Sequence, residues 1–191
     1  MKFLTNKYSP AELLGLFLVS VFPQHTWTIY MVFRDMPWLV ENYYLTQAIG
    51  VMGYALLFAL GESLILFLIL LIFALLLPRQ WETAKRLSLV YIAAYILIFW
   101  AMASQFYALF NSQIPGFYSA LLIGSSHPLW VLYGTSLVLI GISLIPLILW
   151  LRNPNFQTKT VNLMERISIL SWLYLLLDLA GIGTIILRNI F

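Results

Sequence analysis

Five stretches of this chain run for about twenty residues or more almost without charge, and that spacing constrains the fold more than any other feature. A bilayer hydrocarbon core of about 30 Å is crossed by roughly 20 helical residues at 1.5 Å per residue, so each stretch is long enough to cross once. The windows are about Ala11–Phe33, Thr46–Leu77, Leu87–Phe110, Pro128–Leu151 and Leu163–Leu187. Apolar residues make up 62% of the chain and charged residues only 9%, where a water-soluble domain carries about a quarter charged residues. The expected fold class is therefore all-α: a polytopic integral membrane protein, a bundle of five transmembrane helices forming a single domain over residues 1–191. The second window exceeds the length of one crossing, and Gly50 and Gly53 in its first turns mark an expected bend or tilt.

Basic residues orient the bundle, because cytoplasmic loops retain Lys and Arg. Lys2, Lys7, Arg79, Lys85, Arg86, Arg152, Lys159 and Arg166 fall on one side of the five windows. Only Arg34 and Arg188 fall on the other. The expectation is a cytoplasmic N-terminus and an external C-terminus in a prokaryotic-type cytoplasmic membrane. The first window runs into Gln24-His25-Thr26 without a small-residue cleavage site, so it reads as a retained helix and not as a signal peptide. Trp27, Trp38, Trp81 and Trp150 sit near window ends, as headgroup-level anchors do.

Composition also narrows chemistry. The chain has no cysteine, which excludes disulfides, thiolate metal sites, iron–sulfur clusters and thiol relays. A net charge of +3, spread along the chain, gives no nucleic-acid footprint. The bilayer itself and a protein partner or second copy are the expected partners.

An ionisable side chain in mid-membrane costs at least about 2.5–3.5 kcal/mol, so each one asks for a partner or a function. Three qualify: His25, Glu62 and Asp178. Glu62 shares a face with Ala55 and Ala59, and Asp178 shares one with Ser168, Ser171, Leu175 and Gly181; both faces are expected to turn into the bundle. Ser20, Gln24 and Thr28 form a polar stripe beside His25, and Pro23 leaves the Val19 carbonyl without its helical donor. Counted at 1.5 Å per residue, His25 lies about 18 Å up from Leu13, Glu62 about 22 Å from Leu77, Asp178 about 22 Å from Leu163, and Ser104 and Gln105 about 26 Å from Leu87. This convergence predicts neutral carboxyls hydrogen-bonded across helices, or an outer-half polar pocket for a small ligand, cation or proton formed by Glu62, Asp178, His25, Gln24, Ser104 and Gln105, or burial of these groups against a partner subunit.

No catalytic constellation or metal site is expected. His25, Glu62 and Asp178 are suitable ligand types but lack metal-site spacing. Ser125-Ser126-His127 lacks a nucleophile elbow, and Gly181-Ile182-Gly183 is followed by Thr184 where an aspartyl peptidase needs Asp. No cofactor is predicted; His25 and His127 leave a b-type haem open, and the 16% aromatic content leaves a quinone open. The functional expectation is a non-enzymatic membrane subunit or accessory protein of a larger complex. The alternative is a small proton- or cation-linked carrier, or a hydrophobic-ligand-binding protein, using the polar pocket.

Overall fold

The computed structural model describes residues 7–109 and 115–190, and every described element is helical. In chain order they are α1 (Pro10–Asn42), α2 (Leu45–Leu76), α3 (Thr83–Leu109), α4 (Gly116–Gly124), α5 (Pro128–Trp150), α6 (Pro154–Ser168) and α7 (Ser171–Ile190). Five helical stretches are long and apolar enough to cross a membrane, the last running through α6 and α7. This all-helical architecture is compatible with a multi-pass membrane protein. Lys2 and Phe110, which entered the charge count and the third window, lie outside the described residues.

Local chemistry sets where α1 begins. The Ser9 hydroxyl accepts from the Glu12 amide at 3.2 Å, the Glu12 carboxylate accepts from the Ser9 amide at 2.6 Å, and Pro10 occupies the first turn, where its missing N–H costs nothing. The helix does not stop at Phe33 as the apolar window does. It continues to Asn42, 33 residues or about 50 Å, so its last turns extend past one hydrocarbon thickness. That extension carries Arg34 and Asp35, joined by bonds of 2.7 and 2.8 Å.

Small residues decide how α2 meets α7. A Cβ placed on Gly53 would lie 3.4 Å from the Gly181 carbonyl oxygen, and one placed on Gly181 would lie 3.3 Å from that of Gly53. The two backbones touch there, as small residues allow in a membrane where no hydrophobic driving force draws helices together. The core lies at the other end of α2, where Leu66, Leu70 and Ala74 pack with Leu16 and Val19 of α1 and with Leu87, Val90, Tyr91, Ala94 and Ile98 of α3. Tyr8 and Lys7 close that end: the Tyr8 hydroxyl donates to the Ala74 carbonyl at 2.9 Å, and the Lys7 ammonium donates to Leu75 and Leu77 at 2.7 and 2.5 Å. These are carbonyls that a helix C-terminus leaves without intrahelical partners, and a cation is favoured beside them. Burial, with Arg86 and Arg79 nearby, holds the Lys7 ammonium below its ordinary pKa, while burial pushes the Tyr8 phenol up.

Three details depart from the sequence reading. The fifth window does not begin at Leu163, because residues 163–168 belong to α6. This helix is amphipathic: it turns Gln157, Thr160, Val161, Met164 and Ser168 inward at spacings of three and four, leaving Lys159, Glu165 and Arg166 exposed. A turn at Ile169–Leu170 separates it from α7. The stretch before Pro128 holds a short helix, α4, that packs on α5, with the Tyr118 hydroxyl 2.6 Å from Thr135. Finally, α5 contacts α3 and α4 but none of its residues 128–149 is buried, whereas α7 lies against α1 and α2.

Candidate functional site

The helices α1 and α7 face each other through buried polar side chains. On α7, Ser171, Tyr174 and Asp178 repeat at the i, i+3, i+7 spacing that keeps residues on one helix face. On α1 the matching positions are Leu18, Phe22 and His25. The Ser171 hydroxyl donates to the Leu18 carbonyl at 2.6 Å. The Tyr174 ring stacks on the His25 imidazole, with centroids 5.6 Å apart and an interplanar angle of 11°, and also lies 6.0 Å from the Phe22 ring. The Tyr174 hydroxyl lies 3.0 Å from Thr26 Oγ1, whose single proton goes to the Phe22 carbonyl at 2.8 Å; the phenol is therefore the donor.

His25 Nε2 is 3.0 Å from both carboxyl oxygens of Asp178, and His25 Nδ1 is 2.9 Å from the Val21 carbonyl. A carbonyl only accepts, so Nδ1 carries a proton. One further proton lies between Nε2 and the carboxyl, and whichever side holds it the pair is neutral overall. His25 is 0% exposed and Asp178 1%. Burying this pair leaves no net charge in the hydrocarbon, and each imidazole nitrogen has a partner.

The remaining candidate residues disperse. Gln105 accepts a bond from the Trp27 indole, linking α1 to α3. Ser104 donates to its own helix at the Trp100 carbonyl, 2.8 Å away. Gln24 is half-buried beside the pair in sequence but does not join it. Glu62 does not turn fully inward: the buried face of α2 runs through Ala59, Ser63, Leu66 and Leu70, and Glu62 stands at its edge, half-buried. Among the described residues it has no hydrogen-bond or ion-pair partner. The expected six-residue pocket is thus a two-residue pair plus separate polar groups, and the described residues contain no cluster of three carboxylates and histidines that would hold a metal ion.

A recess of about 300 Å³ lies elsewhere, between the start of α2 and the end of α7, lined by Thr46, Gln47, Ile49, Thr184 and Arg188. The Arg188 guanidinium sits over Gly50, where a Cβ would be 2.5 Å from its Nη1. Sequence reasoning passed over both Tyr174 and this recess. Tyr174 was detectable as the position one turn before Asp178; the recess depends on how two helices cross.

No family model matches the chain, and comparison with curated proteins and with solved structures gives no significant match.

Proposed function

We propose that this chain is a non-enzymatic integral membrane subunit or accessory protein of a larger complex, built as one domain with a cytoplasmic N-terminus and an external C-terminus in a prokaryotic-type cytoplasmic membrane. The observation that carries this reading is α5, which is long enough to span but buries none of residues 128–149 in its own chain. Gly134 and Gly141 lie two turns apart on it, and a Cβ on either would meet nothing within 4 Å. Small residues favour close helix approach, and no described residue of the chain makes it at these two positions. The polar centre supports the same reading, since a sealed, self-satisfied His25–Asp178 pair acts as an interhelical fastener without needing a substrate.

The carrier or ligand-binding alternative draws less support. A proton or cation would have to reach a pair that is closed to solvent, and a haem iron would have to displace a partner from a His25 nitrogen. Native mass spectrometry of the protein released from its own membrane in mild detergent tests the proposal. A defined heteromeric mass is the expected result. A bare monomer would overturn it, and a monomer carrying a discrete small mass would favour the alternative.

A further inference from the structure

Among the described residues Glu62 is the one mid-membrane carboxyl or imidazole that the fold leaves without a partner. It is the eighteenth of the 32 residues of α2, about 26 Å from Leu45 and 21 Å from Leu76, so neither end of the helix offers it water. A carboxyl at that depth is costly unless paired, and intramembrane acids normally face a partner group. Its surroundings are also shaped for approach. Gly61, directly before it, leaves open space where a Cβ would be, and Phe58 and Ile65, one turn to either side, are exposed by 70% and 61%.

We propose that the Gly61–Glu62 face of α2 is a docking site for a transmembrane helix of a different chain that brings a Lys or Arg side chain to the same depth. The proposal rests on the subunit reading above and adds which face binds and what chemistry the partner carries. Charge complementarity selects a cation, since it neutralises the carboxylate inside the hydrocarbon. A second copy of this chain does not supply one: its Lys and Arg residues lie outside the apolar parts of its spans or at their ends, and its membrane-embedded His25 is already paired with Asp178.

Reconstitution tests this directly. The full chain, labelled at a single introduced cysteine, is placed in phosphatidylcholine vesicles with one of three labelled Leu-Ala transmembrane peptides bearing a central Lys, a central Glu or no polar residue. Energy transfer is expected with the Lys peptide at concentrations at least tenfold below those needed for the other two, with this preference lost in Glu62→Leu. Glu62→Gln, which keeps the shape and removes the charge, is expected to lose most of the preference; circular dichroism checks that both variants remain helical. Equal association of all three peptides, or an unchanged Lys preference in Glu62→Leu, overturns the proposal. In native membranes, a heteromer that survives Glu62→Leu and Glu62→Lys intact overturns the proposal and leaves the subunit reading standing. A wild-type chain without any heteromeric mass overturns both.

Discussion

At the scale of single residues, the His25–Asp178 pair makes opposite demands on different substitutions. Asp178→Asn preserves a donor for Nε2 of an imidazole protonated on Nδ1, so the bond survives and stability changes by less than about 1 kcal/mol. Asp178→Leu leaves a buried imidazole nitrogen without a partner and is expected to cost about 3 kcal/mol, part of which returns in the double variant with His25→Leu. Unfolding in mixed micelles of the wild type, Asp178→Leu, His25→Leu and the double variant, read as a double-mutant cycle, with Asp178→Asn measured beside them, checks both statements. Lys7 supplies a second residue-scale prediction. With its folded pKa depressed, the unfolded chain binds the extra proton in the window just below 10.5, so Lys7 contributes stability that is present above that value and is lost as pH falls through its folded pKa. Lys7→Met should therefore flatten the rise of stability with pH in that alkaline window, measured by thermal unfolding across a pH series.

At the scale of elements, the crossing of α2 and α7 rests on absent side chains. Gly181→Leu would force the two backbones apart at Gly53, and because α7 carries Asp178 the same change would pull the carboxyl from His25. The expected loss is about 1–3 kcal/mol or more, while Gly183→Leu, at a position with open space, stays near neutral; the two variants compared in one unfolding series test it. Helix boundaries show what the sequence makes legible at this scale. Apolar run length locates all five spanning stretches, because the hydrocarbon imposes that length whatever the fold. It does not locate the break between α6 and α7, since Leu163, Ile167, Ile169 and Leu170 merge with the apolar residues of α7 into one run, and only the inward positions of Gln157, Thr160 and Ser168 reveal a separate amphipathic face. For the site, the requirement that buried ionisable groups find partners singles out His25, Glu62 and Asp178 but does not say which two meet. That depends on helix rotation, which one turn of backbone sets: Asp178 lies on the face of α7 with Ser171, while Glu62 lies one position off the Ala59–Ser63 face of α2.

At the scale of the whole molecule, the proposed orientation would put the loop before α5 and the helix α6 on opposite sides of the membrane. The lack of native cysteine makes this simple to measure, because one introduced thiol gives one signal. In intact cells a membrane-impermeant maleimide should label Ser126→Cys and spare Thr158→Cys, with the pattern reversed in inverted vesicles; labelling of both from one side would remove the proposed orientation.

The partner of His25 lies 153 residues further along the chain. At ribosomal speeds of about 5–20 residues per second, α1 waits roughly 8–30 s in the bilayer before Asp178 is even synthesised. Throughout that interval the first helix carries an unmatched imidazole, and once the second is made its glycine notch at Gly53 is also uncovered until Gly181 follows, so the packing is completed by the last helix to arrive. Nascent chains halted before Ser171 should therefore remain open to membrane quality control, and release of the full chain should be the event that ends that vulnerability.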